Sequence, residues 1–188
     1  SRYPVQEPVY EIGSYRVEGQ EEFADLRPFF SEKAYVGFDM RQGLGVDRVE
    51  DVHYLKIRRN SIGTVLIFDT LEHIEDVHQA MKEIYRVLRP GGMVIMSSVM
   101  KFPIHDYPSD YWRFTPKAFE LLLKRFSVYE VEFDGDPQFP EGVYGFGIKG
   151  KHKSFLRRLP LFPKGSLRAK RAKASSGTSP GKGGLQGR

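Results

Sequence analysis

The sequence predicts a doubly wound α/β fold built on a mostly parallel sheet. Short apolar segments of strand length recur between residues 8 and 96, and segments with helical spacing alternate with several of them. The run 64–68 (TVLIF) is almost wholly apolar, which is typical of a central parallel strand covered on both faces. Strands that alternate with helices imply parallel pairing through right-handed crossovers.

The apolar segments predict five successive strands, at 8–13, 34–39, 46–54, 64–68 and 93–96. A helix over 19–30 follows the first strand, whereas the glycine-rich turn 41–45 stands where a helix would follow the second. The strongest helix is predicted over 75–88, with Glu75 and Asp76 in its first turn and Pro90-Gly91-Gly92 ending it.

The last third of the domain begins with an aromatic loop (residues 100–113) that is interrupted by prolines. Thr115 as N-cap and Pro116 at the first helical position predict a helix over 115–125. Residues 127–133 and 142–149 have the composition of two closing strands, and we expect them to pair as a hairpin.

The composition excludes several classes of protein. The chain of 188 residues has no cysteine, which excludes disulfides and thiolate metal sites. No apolar run approaches the roughly 20 residues that span a bilayer, and we expect a cytoplasmic protein. The first strand begins so soon after Ser1 that we also expect an upstream segment to be missing or removed.

Charge divides the chain into two parts. Residues 149–188 contain 12 Lys and Arg and no acid, whereas residues 1–148 have a net charge of −7. We therefore predict one acidic domain over 1–150 and a basic, largely disordered tail over 151–188. The negative charge of the domain disfavours specific nucleic-acid binding. We expect weak contact with polyanions to be made by the basic tail.

Acidic residues stand at the ends of four predicted strands, where ligands bind in open α/β sheets. They are Glu11, Asp39, Asp51 and Asp69. A carboxylate after the second strand can accept hydrogen bonds from both vicinal hydroxyls of a ribose, and one after the next strand can accept from an adenine amine. The phosphate-binding P-loop pattern is absent. The pattern therefore favours a positively charged nucleoside without phosphates.

The order of these features resembles the class I S-adenosylmethionine-dependent methyltransferases, in particular the group called type 11. The strongest match joins Asp69-Thr70-Leu71-Glu72-His73 to the stretch 83–92, which contains Arg-Val-Leu-Arg-Pro-Gly-Gly. Val36-Gly37-Phe38-Asp39 resembles the family's second strand with its ribose acid, and Asp51-Val52 resembles the adenine-contacting pair. The resemblance covers about residues 8–148.

The resemblance implies a Rossmann-like sheet, S-adenosylmethionine as cofactor, and methyl transfer to a small molecule or another acceptor. It assigns the cofactor to Glu11, Gly13, Ser14, Asp39, Met40, Asp51, Val52, Asp69 and Leu71. The family's glycine-rich loop is altered, because Tyr15 stands at its second glycine position. A non-catalytic member of the fold is therefore the alternative, and a nicotinamide oxidoreductase is disfavoured by the missing G-x-G-x-x-G.

Two histidines are the candidate catalytic bases, because imidazole titrates near neutral pH. They are His73 and His105. The alternative for His73 is a structural residue at the start of a helix, with its side chain bonded to the backbone. Tyr107, Trp112 and Arg113 are the candidate substrate contacts, unless the aromatic loop only packs against the sheet. His105 and the adjacent Asp106 lack convincing partners, so no metal site is predicted.

Overall fold

The computed structural model describes residues 3–17, 25–105 and 109–150. Its strands are β1 Val9–Ile12, β2 Tyr35–Asp39, β3 Arg48–Val49, β4 Ile62–Ile67, β5 Leu88–Val99, β6 Val128–Asp136 and β7 Phe139–Ile148. Within these residues the α-helices are α1 Val77–Val87 and α2 Pro116–Leu123, and short 3-10 turns lie at Arg27–Phe30, Val52–Tyr54 and Leu71–His73.

The seven strands form one sheet in the order β3-β2-β1-β4-β5-β7-β6. β1 to β5 pair in parallel, and β7 lies antiparallel between β5 and β6. The order runs outward in both directions from the β1–β4 pair, which is the topological switch point of a doubly wound sheet. The predicted fold class and the closing hairpin are confirmed.

The core lies between the central strands and the helices. Every residue of β4 is buried, as expected for a parallel strand covered on both faces. Helix α1 turns an apolar face to the sheet, on which Ala80 and Ile84 are fully buried. Burial of an aliphatic side chain of the size of Ile84 contributes about 1.5–3 kcal/mol.

The two ends of α1 are held by polar side chains. Asp76 is the N-cap, and its carboxylate accepts from the Gln79 amide at 2.9 Å. It therefore lies just before the helix, whereas the sequence predicted it within the first turn. At the other end, the buried Lys149 ammonium donates to the carbonyls of Tyr85 and Leu88 at 2.5 and 2.6 Å. These contacts satisfy carbonyls that have no partner within the helix.

The stretch 90–92 does not end the helix, contrary to the prediction. α1 ends at Val87, and the next residue, Leu88, has extended backbone and already pairs with Ile62. Pro90, Gly91 and Gly92 lie in an irregularity of β5, before pairing with β4 resumes at Met93.

Two other predicted elements differ from the structure. The strand predicted over 46–54 shortens to β3, because Asp51 caps the 3-10 turn that follows. Of the helix predicted over 19–30, residues 19–24 lie outside the described residues, and Arg27–Phe30 form a 3-10 turn. The basic tail 151–188 also lies outside them. In the described ranges, no helix is long and apolar enough to cross a membrane.

Candidate active site

The carboxyl ends of β1, β2 and β4 open into a cleft of about 750 Å³, here called the strand-end cleft. This is the position at which open α/β sheets bind ligands. Its walls come from the ends of these strands, the segment after β3 and the aromatic loop. The principal residues are Gly13, Tyr15, Asp39, Met40, Arg41, Glu50, Asp51, Val52, His53, Asp69, Thr70, Glu72, His73, Phe102, His105 and Tyr111.

Asp39 ends β2 and is 7% exposed. Its Oδ1 accepts from the backbone amide of Arg41 at 2.9 Å and from the Arg41 Nε at 3.1 Å. Both hydrogen bonds that Asp39 accepts from Arg41 therefore use one carboxylate oxygen. The neighbouring Met40 is exposed and also lines the cleft.

The segment after β3 brings two acids to the cleft. The Asp51 Oδ1 accepts from the His53 amide at 2.8 Å and lies 2.7 Å from the His53 Nδ1, which stabilises the turn that presents Val52. Glu50 is buried and bonds to the Arg48 guanidinium at 2.6 Å. The sequence pattern does not predict Glu50 as a cleft residue, although it directly precedes Asp51, which is predicted.

The turn after β1 combines a required glycine with an aromatic side chain. Gly13 has φ +83°, and a Cβ at this position would lie within 2.9 Å of three side-chain atoms of Thr70. Tyr15 lies in the cleft wall, with the Arg41 guanidinium 4.2 Å from the centre of its ring. Sequence analysis noted Tyr15 as a departure from a glycine pattern and did not identify it as a site residue.

Three residues that the sequence analysis assigned to the cofactor lie outside the cleft walls. Successive residues of a strand point to opposite faces of the sheet, so Glu11 and Ile12 lie on opposite faces. Glu11 is buried and bonded to the Tyr35 hydroxyl, and burial raises the pKa of its carboxyl. Ser14 is buried where a Cβ on Gly37 would touch it, and Leu71 is fully buried in the core.

The end of β4 places charged and ionisable groups in the cleft. Asp69 has φ +42°, and its Oδ1 accepts from the Ser97 hydroxyl at 2.8 Å. Glu72 is fully buried and accepts from the Ser98 hydroxyl at 2.8 Å. Burial raises the pKa of the Glu72 carboxyl. His73 lines the cleft, and its Nδ1 lies 2.6 Å from the Ser109 carbonyl oxygen. Both interpretations of this residue therefore hold, because it faces the cleft and also contacts the backbone.

The aromatic loop forms part of the wall, as expected. His105 reaches the strand-end cleft, whereas Trp112 and Arg113 line a neighbouring cavity of about 650 Å³. The two cavities share Phe102 and Tyr111. Trp112 and Arg113, two of the candidate substrate contacts, therefore line the neighbouring cavity and not the strand-end cleft.

Polar contacts explain where these loop side chains lie. The Trp112 Nε1 donates to the Ile74 carbonyl at 2.8 Å, and Arg113 is paired with Asp110. Tyr107, the third candidate substrate contact, lies outside the described residues.

Part of the chain is similar to known methyltransferases. A family model described as a methyltransferase domain matches residues 29–96. A ubiquinone/menaquinone biosynthesis C-methyltransferase from Haemophilus ducreyi is 32% identical over 113 residues, which cover 56% of this chain and 40% of that protein. A demethylmenaquinone methyltransferase from Desulfitobacterium hafniense is 26% identical over 106 residues, covering 54% and 39%. The chain spans about 40% of the length of the curated relatives it matches.

Solved structures share the fold. A SAM-dependent methyltransferase from Archaeoglobus fulgidus superposes with a TM-score of 0.59 at 15% identity, covering 75% of this chain and 85% of that one. The Burkholderia thailandensis 1,6-didemethyltoxoflavin-N1-methyltransferase, solved with bound 1,6-didemethyltoxoflavin and S-adenosylhomocysteine, has a TM-score of 0.57 at 16% identity, covering 76% of this chain and 71% of that one. The family model and the curated relatives agree that part of the chain, including residues 29–96, resembles a methyltransferase domain, and the sheet has the fold of solved SAM-dependent methyltransferases.

Proposed function

We propose that this chain transfers the methyl group of S-adenosylmethionine to a small-molecule acceptor bound in the strand-end cleft. One observation carries the proposal: Asp39, Asp51 and Asp69, from three separate strand ends, line the same cleft at the switch point of the sheet. With the buried Glu50 beside them, they make the cleft acidic, which suits a cofactor that bears a positive sulfonium.

The residues of the cleft fit the parts of the cofactor. Asp39 is proposed to accept from the ribose hydroxyls, since its carboxylate lies in the wall of the cleft at the end of β2. Asp51 and Val52 are proposed to contact the adenine. Gly13 and Asp69 are proposed to lie along the amino-acid end, where the missing side chain of Gly13 lets a ligand approach the backbone.

S-adenosylmethionine supplies an already activated methyl group, so the protein mainly has to align the acceptor and exclude water. The acceptor is proposed to bind at the end of the cleft formed by His73, His105, Phe102 and Tyr111. Aromatic faces beside imidazoles suit a ring that bears a hydroxyl or amine. His73 or His105 is proposed to receive the acceptor's proton, because imidazole titrates near neutral pH.

An aromatic ring as the acceptor is the finer proposal. It is supported by the names of the relatives, which place them in ubiquinone and menaquinone biosynthesis, and by the aromatic side chains at the cleft. The altered loop at Tyr15 favours the second candidate, a non-catalytic member of the fold that binds a ligand without methyl transfer.

Calorimetric titration with S-adenosylhomocysteine tests the proposed function. Binding with one site per chain supports it, and incubation with labelled S-adenosylmethionine and hydroxylated quinone precursors then tests the acceptor class. A folded protein that binds neither S-adenosylhomocysteine nor S-adenosylmethionine would be the non-catalytic alternative. Binding of NAD in their place would overturn the assignment.

A further inference from the structure

Three potential metal ligands meet at the acceptor end of the strand-end cleft. Glu72, His73 and His105 each offer a ligand atom, and these atoms all lie within 4.8 Å of one another. The two imidazole rings are arranged edge to face, with centroids 4.8 Å apart. Zn²⁺ binds histidine nitrogen and carboxylate oxygen at about 2.0–2.2 Å, so two ligands of one ion lie at most about 4.4 Å apart. Small side-chain rotations therefore bring all three onto one ion.

Each histidine has an acceptor beside its Nδ1. The His73 Nδ1 lies 2.6 Å from the Ser109 carbonyl oxygen, and the His105 Nδ1 lies 3.1 Å from the Asp110 Oδ2. Metal-binding histidines almost always donate one ring N–H to a carbonyl or carboxylate in this way, which fixes the tautomer and leaves the other nitrogen as the ligand. Both rings therefore present Nε2 as the metal-binding atom.

The Asp110 that orients His105 is itself held in place. Its side chain is 1% exposed, and its Oδ2 also accepts from the His105 backbone amide at 2.8 Å and from an Arg113 nitrogen at 2.8 Å. This gives His105 a rigid support, although it lies on a loop.

Glu72 provides an independent observation. Its side chain is fully buried, one oxygen accepts from the Ser98 hydroxyl, and the other, Oε1, is buried with no hydrogen-bond partner among the described residues. A buried carboxylate oxygen without a partner costs on the order of 1–3 kcal/mol. A cation in the cleft beside it removes that cost.

We propose that Glu72, His73 and His105 bind one divalent transition-metal ion of the Zn²⁺ class. Two imidazoles with one carboxylate suit Zn²⁺, Fe²⁺ and their neighbours better than Mg²⁺ or Ca²⁺, which prefer oxygen ligands. Three protein ligands leave at least one coordination position open to the cleft. An acceptor hydroxyl bound there would have its pKa lowered by the ion. In that case His73 and His105 hold the ion and do not themselves receive the proton.

Ion binding itself is independent of methyl transfer, whereas the role toward the acceptor rests on the proposed function. The test uses chain freed of metal by chelation and dialysis, titrated with Zn²⁺ in a calorimeter and with Co²⁺ in a visible absorption spectrometer. One ion per chain is expected, with Co²⁺ bands that mark nitrogen and oxygen ligands at low coordination number. His73→Ala and His105→Ala should each weaken binding at least about 100-fold.

His78→Ala is the matched control, because His78 is exposed on α1 and outside the cluster, and its binding should equal that of the wild type. Glu72→Gln tests the carboxylate, and circular dichroism shows whether that buried variant is folded. Wild-type chain that gives neither heat with Zn²⁺ nor Co²⁺ bands, or equal loss of binding in His78→Ala, would overturn the site. Titration with S-adenosylhomocysteine is run separately, so loss of cofactor binding and loss of metal binding are distinguished.

Discussion

Arg41 stacks on Tyr15, with its guanidinium carbon 4.2 Å from the centre of the ring, and at the same time bonds Asp39 through Nε at 3.1 Å. Tyr15 occupies the second glycine position of the family's first loop. In place of a bare backbone, this chain has a cation stacked on an aromatic face and paired with the proposed ribose acid. The altered loop thus lines the strand-end cleft at the part proposed to hold the ribose.

Asp39→Ala is expected to weaken S-adenosylhomocysteine binding by about 1.5–3 kcal/mol, the range for hydrogen bonds to a charged group. Calorimetry measures the change in Kd, and thermal unfolding shows whether the fold is intact. Glu32→Ala is the control, because Glu32 is exposed just before β2, at the amino end of the sheet opposite the cleft. An unchanged Kd for Asp39→Ala would remove this residue from the cofactor site.

Asp110 and Glu72 should give opposite pH dependences of stability. The Arg113 guanidinium holds the pKa of the Asp110 carboxyl far below its ordinary value. The ionised Asp110 carboxylate therefore stabilises the fold at pH values above its unfolded-state pKa, and this stabilisation is lost as the pH falls and the carboxylate is protonated. Asp110→Asn should be less stable than the wild type at neutral pH and should lose less stability below about pH 4. Urea unfolding at several pH values measures this, and parallel curves for the two proteins would contradict it.

For Glu72 the sign reverses, because burial raises its pKa above the ordinary 4.5. The folded state then favours the protonated acid, so its contribution to stability is present below 4.5 and is lost as the pH rises through the raised pKa. In the presence of a chelator, Glu72→Gln should therefore gain stability relative to the wild type as the pH rises above 4.5. A difference in stability that stays constant with pH would show that burial does not raise the pKa of this carboxyl.

Lys149→Met should destabilise the fold by about 2–3 kcal/mol, because it removes a charged donor from the carbonyls at the end of α1 and leaves them buried. The matched control is Lys117→Met, because the Lys117 side chain is 83% exposed and pairs with Glu120 on the surface of α2. That change should cost under about 0.5 kcal/mol. Similar losses in the two variants by denaturant unfolding would argue against the capping role of Lys149.

Trp112→Phe should cost at least about 0.5–1.5 kcal/mol, because the hydrogen bond from Nε1 to the Ile74 carbonyl is lost and a smaller aromatic ring replaces the indole. The loop segment 109–113 should then exchange its amide hydrogens faster, since Trp112 ties it to the residues before α1. Tyr129→Phe, on an exposed position of β6, is the control. Unchanged exchange in the loop would mean that the other contacts of the loop are sufficient to hold it.

Local patterns in the sequence determined most of the secondary structure. The apolar run at 64–68 predicted β4, helical spacing predicted α1, and Thr115 before Pro116 predicted the start of α2. These signals are local, because the period of buried residues and the chemistry of a helix cap depend on neighbours a few positions away. They also predicted that acids at strand ends meet in one cleft, since parallel strands present their carboxyl ends at one edge of the sheet.

Only the tertiary structure decided which of those side chains face the cleft and what they touch. Glu11 turns away because of its place in the strand alternation, whereas Asp39 faces the cleft and is bonded by Arg41, which stacks on Tyr15. His73 and His105 lie far apart in the sequence, and no local pattern indicates that their rings meet beside Glu72. That contact depends on how the aromatic loop returns over the end of β4. The return is set by long-range bonds, such as those of Ser109 and Trp112, that sequence periodicity does not encode.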